Sequence, residues 1–273
     1  MKRTLLLATL SLLACGPAAD SAEDGAASMQ DASSSGEQGW VEITYGDRTV
    51  HAWLAQPEGT GPHPAIIVIH QNRGISDWVR TVADRVAQEG YIALAPDLLS
   101  GMAPGGGNTA DFADPDAARE GIGALDQAQV TADLHAAAEY LGSLPSSSGA
   151  ISVSGFCWGG SQTFAFATER PDLEAAYVFY GTGPSEPAAY TDVGARVYGF
   201  YGGEDNRVNA TIEASRQAME AAGAVYEPVV YDGAGHGFMS RGETSDEGDP
   251  NRVAMEQGWE RWRTLLEEAA GGS

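Results

Sequence analysis

Short β-branched runs alternate along this chain with segments of helical period, and that alternation limits the folds open to it more than any other feature. Ala65-Ile66-Ile67-Val68-Ile69-His70 is nearly unbroken apolar sequence, as a strand covered on both faces requires. Residues 78–89 then carry Trp78, Val79, Val82 and Val86 at helical spacing and stop at Gly90. A second buried strand, 91–95, closes at Pro96-Asp97. The pattern continues with helix 127–144, strand 150–154, helix 160–168, strands 175–180 and 197–201, helix 208–222, strand 226–231 and helix 253–269. Ahead of it, 41–45 and 50–54 alternate apolar and polar residues around Gly46-Asp47, which predicts an antiparallel hairpin. The expected class is α/β, with a mainly parallel open sheet, helices on both faces and the hairpin at its N-terminal side. Only 100–123, rich in Gly and Asp around Gly105-Gly106-Gly107, reads as a long connection, either a binding loop or a mobile one.

The first forty residues follow other rules. Lys2-Arg3 precedes an apolar run from Leu5 to Ala14, too short to span a bilayer and laid out as a secretory signal. The run ends Leu12-Leu13-Ala14-Cys15, which resembles a bacterial lipobox with Cys15 as the lipidated residue; an ordinary signal peptide is the alternative. Residues 1–14 are thus expected to be a signal, 15–39 a flexible tether of Ala, Ser, Gly and acids, and 40–273 one domain. The expected address is export, anchored to the cell envelope by lipid or secreted without it. The net charge of −23 argues against nucleic acid and against a polybasic membrane patch. Contact with membrane is expected only through the N-terminal anchor, and the domain is expected to be a monomer.

The two cysteines, Cys15 and Cys157, do not suit a disulfide, and no metal-ligand spacing occurs, so no metal is expected. Cys157 lies in Gly155-Phe156-Cys157-Trp158-Gly159-Gly160, between a strand and a helix. Gly-x-Cys-x-Gly in that setting is a nucleophile elbow. The sharp turn needs neighbours without bulk and lifts the side chain over the sheet edge at a helix N-terminus, where the macrodipole favours a thiolate. A nucleophile needs a base, and the base an orienting acid, each in a loop after a later strand. Asp205 follows strand 197–201 in Gly202-Gly203-Glu204-Asp205, with helix capping as its alternative role. His236 follows strand 226–231 in Gly233-Ala234-Gly235-His236-Gly237-Phe238, and it alone of the five histidines comes after the nucleophile. Backbone N–H groups of Trp158 and of Asn72, in the loop His70-Gln71-Asn72-Arg73-Gly74, are the candidates for an oxyanion hole. His70 is expected to be structural and Asp97 a turn or capping residue. Gln71, Tyr180 and Phe238 are candidate pocket residues.

Taken together, the Cys157 elbow, the 202–205 turn, the Gly-x-Gly-His236-Gly-Phe segment, the His70–Gly74 loop and Gly90-Tyr91 leading to Ala95-Pro96-Asp97-Leu98 resemble the dienelactone hydrolase family, from Val41 to the C-terminus. The resemblance implies an α/β-hydrolase fold, a Cys157–His236–Asp205 triad, no cofactor, and small lactone or activated ester substrates. Proteins of that family commonly carry Glu where this chain has Gln71, and use arginines for a substrate carboxylate, whereas the loop after Asp97 has none. Dienelactone itself is therefore not the expected substrate. The competing readings are another Cys-hydrolase activity, such as a thioesterase, and a non-catalytic lipoprotein that binds on a hydrolase fold.

Overall fold

The computed structural model describes Met1 and residues 36–271. The expected signal beyond Met1, the candidate lipidation residue Cys15 and almost all of the expected tether lie outside the described residues. The strands are β1 (Gln38–Tyr45), β2 (Arg48–Ala55), β3 (His63–Ile69), β4 (Ile92–Pro96), β5 (Ser147–Phe156), β6 (Ala175–Phe179), β7 (Arg196–Gly202) and β8 (Tyr226–Tyr231). They form one eight-stranded sheet in the order β1-β2-β4-β3-β5-β6-β7-β8. β1 and β2 pair antiparallel through the expected hairpin, β2 joins β4 antiparallel, and every later pairing is parallel.

The helices are α1 (Asp77–Gln88), α2 (Pro115–Gly123), α3 (Gln127–Ser143), α4 (Trp158–Glu169), α5 (Asn206–Asn209), α6 (Ile212–Ala221), α7 (Phe238–Arg241) and α8 (Pro250–Gly271). One sheet face buries Ile67, Ile69, Leu94 and Val153 against Leu134, Leu141, Phe164 and Met219 of α3, α4 and α6. The other buries Ile66, Val68, Phe179 and Phe200 against Val79, Val82, Trp262 and Leu266 of α1 and α8. Burial on both faces is why the central strands read as unbroken apolar runs.

The elements differ from the sequence reading at several places. β1 begins at Gln38, inside the stretch expected to be tether, and pairs from its first residue with Ala55. The 100–123 connection contains a short 3-10 turn at Thr109–Asp111 and then α2, which Asp114 caps by accepting from Asp116 and Ala117 N–H and which opens with Pro115. Leu99, Ala118 and Ile122 form a small core beneath it, with Phe112 and Trp158 packed alongside. The single helix expected over 208–222 is two helices. Asn209 turns its amide back onto the Gly202 carbonyl at 2.8 Å, closing α5 after one turn.

Candidate active site

β5 runs straight into Cys157, which takes φ 59° and ψ −115° before α4 begins at Trp158. A positive φ is costly for a residue with a Cβ and persists only where its surroundings fix it. Here Cys157 N–H donates to the Phe179 carbonyl at 3.0 Å, and its own carbonyl accepts from Ser161 N–H at 3.2 Å. The glycines on either side are required by contact. A Cβ on Gly155 would collide with the Gly159 carbonyl, and one on Gly159 with the carbonyls of Ile69 and His70. The elbow is thus wedged between its own helix and the end of β3.

The partners arrive from the ends of β7 and β8. Gly203 N–H donates to the Tyr231 carbonyl at 2.7 Å and Glu204 N–H to the Ala234 carbonyl at 2.9 Å, so these two loops are laced together by backbone bonds. Gly235 N–H is further held by the side chain of Asn251, at 2.9 Å, in the first turn of α8. This places His236 Nδ1 2.5 Å from Asp205 Oδ2 and His236 Nε2 3.0 Å from Cys157 Sγ. Asp205 is 7% exposed and also caps α5, its Oδ1 accepting from Val208 N–H at 3.4 Å. The orienting and capping roles foreseen as alternatives are therefore compatible. The neighbouring Glu204 is exposed. The pKa of His236 is raised above the ordinary imidazole value, first by the hydrogen bond to Cys157 and then by the one to Asp205, against the opposing effect of burial.

A cleft of about 500 Å³ opens over the sulfur, lined by Gln71, Asn72, Arg73, Arg207, Ser240 and Arg241 besides Cys157 and His236. The Gln71 amide lies 3.4 Å from Ser240 Oγ. Trp158 N–H begins α4 and so lacks an intrahelical acceptor. Tyr180 and Phe238 stand elsewhere. They are 1% and 0% exposed and pack edge-on behind the imidazole, with Tyr180 5.1 Å from the His236 ring and 5.4 Å from that of Phe238. As residues at the junctions between strand ends and loops they were drawn into the core rather than into the cleft wall. Arg73 and Arg207 were missed. Each lies beside a motif position, and only the closing of the loops brings them to one opening. A wider groove of about 690 Å³ runs past Tyr45, Arg48 and Gln129 at the far end of the hairpin and does not reach the thiol.

The known proteins that this chain is similar to agree with the architecture. The model of the dienelactone hydrolase family matches residues 50–270. The chain belongs to that family. It is 33% identical over 245 residues to a protein of Escherichia coli K12 provisionally named a carboxymethylenebutenolidase, covering 85% of this chain and 88% of the other. A Methylorubrum extorquens protein with the same provisional name is 31% identical over 235 residues, covering 82% and 78%. Among solved structures, a provisionally named dienelactone hydrolase from Klebsiella pneumoniae superimposes with a TM-score of 0.73 at 30% identity, covering 85% of this chain and 98% of that one. As a member of the dienelactone hydrolase family, the chain is a hydrolase on an α/β-hydrolase fold.

Proposed function

We propose that this hydrolase cleaves carboxylic esters or lactones through Cys157, with His236 as base and Asp205 as its orienting acid. The observation that carries the reading is the unbroken line from Asp205 Oδ2 through the imidazole to Cys157 Sγ, with both ring nitrogens engaged. His236 draws the thiol proton, and the thiolate attacks the substrate carbonyl, forming a C–S bond. Trp158 and Asn72 N–H groups receive the negative oxygen of the tetrahedral adduct. Its collapse breaks the C–O bond, and the imidazolium proton goes to the departing alkoxide. Water, deprotonated by His236, then cleaves the thioester and returns the thiol. A thiol that forms thioesters readily suits strained lactones and activated esters better than amides.

The lining of the cleft supports a substrate that carries an acid group. Arg207, Arg241 and Arg73, the last also paired with Asp116 at 3.8 Å, line the cleft that holds the thiol, in a chain with only 15 Lys and Arg residues and a net charge of −23. A local positive opening on an acidic molecule steers small anions toward itself, an effect that weakens with salt. We also propose that the enzyme works outside the cytoplasm, tethered through Cys15. That reading rests on the leader sequence, and metabolic labelling with a fatty acid that leaves a Cys15→Ser variant unlabelled is its test.

Rapid quenching with p-nitrophenyl acetate followed by intact-mass measurement tests the chemistry. The expected result is an acetyl adduct on Cys157 that is absent from Cys157→Ala. Turnover undiminished in that variant overturns the thiol route.

A further inference from the structure

His70 is a buried ionisable residue that the proposed mechanism does not use. It is 0% exposed, at the end of β3. Its Nδ1 lies 2.8 Å from the Gln71 carbonyl oxygen, which can only accept, so Nδ1 carries the proton. Its Nε2 accepts from Leu98 N–H at 3.2 Å, so that nitrogen is bare. The ring is therefore neutral in one tautomer with both nitrogens committed, and burial lowers its pKa in the same direction. It has no free atom with which to exchange a proton with substrate.

Its partners are the backbone of the candidate oxyanion hole. The Gln71 carbonyl and the Asn72 N–H belong to one peptide group, and in a trans peptide the two point in opposite directions. Fixing the carbonyl inward, onto a buried ring, aims the Asn72 N–H outward to the cleft that Asn72 lines. A hydrogen bond accepted by the carbonyl also polarises the group and strengthens its N–H as a donor. The other donor is held from the same ring. Trp158 stacks on His70 with ring centroids 5.5 Å apart and planes 15° from parallel. The missing Cβ of Gly159 lets the first turn of α4 rest on the His70 carbonyl.

We propose that His70 is a positioning residue that sets both donors of the oxyanion hole at once, one by orienting the Gln71–Asn72 peptide and the other by stacking on Trp158. The proposal rests on the thiol reading of the site.

The test compares two reactions of the same sulfur in the full chain. Acylation by p-nitrophenyl acetate builds negative charge on a carbonyl oxygen, whereas alkylation by iodoacetamide displaces iodide at a saturated carbon and builds none. His70→Phe keeps a planar ring against Trp158 but loses both hydrogen bonds. The expected acylation rate falls about 10²-fold, the lower end for losing one oxyanion donor. Alkylation stays within about twofold, because the thiol–imidazole pair is untouched. His70→Asn, whose amide N–H falls near the Nδ1 position but which has no ring to stack on Trp158, recovers about tenfold of the lost acylation and stays about tenfold below the wild type. Acylation by His70→Phe within about threefold of the wild type overturns the proposal, as does a parallel fall in both reactions, which marks a general loss of structure. If His70→Phe does not fold, His70→Asn carries the same comparison: a fall in acylation no larger than its fall in alkylation overturns the proposal, and a selective fall supports it. A wild type that forms no acyl-enzyme defeats the thiol reading instead, and that outcome is seen before any variant is made.

Discussion

Replacing Asp205 with Asn tests the site at its most constrained point. The two side chains have the same shape, but the Asn amide must choose between two neighbours. With its oxygen toward His236 it still accepts from Nδ1–H, and its NH2 then confronts Val208 N–H, which Asp205 Oδ1 accepts at 3.4 Å. With its NH2 toward His236 the cap is kept, but the imidazole must shift its proton to Nε2, 3.0 Å from the sulfur. In that tautomer the ring offers the thiol a donor where an acceptor is needed. The first arrangement loses the carboxylate–imidazolium attraction, about 4 kcal/mol for unit charges about 4 Å apart at an effective dielectric near 20. The His236 side chain is one-third exposed, at 33%, and screening brings the figure nearer about 3 kcal/mol. At about 1.4 kcal/mol per tenfold, kcat/KM for p-nitrophenyl acetate should fall about 10²- to 10³-fold, by more if the second arrangement prevails. Steady-state rates between pH 6 and 10, with thermal melts as a check on folding, measure this. A loss smaller than about fivefold at neutral pH, in a variant of unchanged stability, refutes the assigned role.

Four further outcomes follow from the same structure. Because partners that accept from an imidazolium favour the charged form, the NMR titration midpoint of His236 should lie above the ordinary value and drop in both Cys157→Ala and Asp205→Asn. By linkage, the stability this raised pKa contributes is complete below about pH 6.5 and is lost as pH climbs through the folded-state value, so the melting-temperature gap between wild type and Asp205→Asn should narrow as the solution becomes alkaline. Gln71→Glu puts a negative charge in the cleft with the sulfur, so iodoacetamide should modify the wild type faster than the variant, and equal or reversed rates defeat that expectation. Gly159→Ala should cost about 2 kcal/mol or more in urea unfolding, because the added methyl meets backbone carbonyls that cannot step aside.

The sequence revealed the chain order of the site because each of its parts is a local motif. The elbow needs glycines around Cys157, and Asp205 and His236 each follow a strand with turn residues about them, so strand, turn and polar residue could be read in a single window. The strand β8 was read with its observed bounds for the same reason. Helix α2 was obscured by the glycine and aspartate content of its surroundings, although Asp114 before Pro115 is a legible helix start. What the sequence could not convey depends on three dimensions. The break between α5 and α6 arises from an Asn209 side chain that reaches back to a β7 carbonyl. Tyr180 turns inward behind His236 from a backbone at φ 42°, and the three arginines meet only because separate loops end at one opening.

The sulfur and the imidazole are held by unlike means. Cys157 is clamped by backbone packed on backbone within the sheet and α4. His236 rides on a glycine-flanked segment, ahead of the four-residue α7, that is tied to its neighbours by single hydrogen bonds such as those from Glu204 N–H to Ala234 and from Gly235 N–H to Asn251. Warming should therefore unseat the base while the scaffold around the nucleophile is still intact, leaving a well-folded but silent enzyme whose activity disappears some degrees below its unfolding transition and returns on cooling.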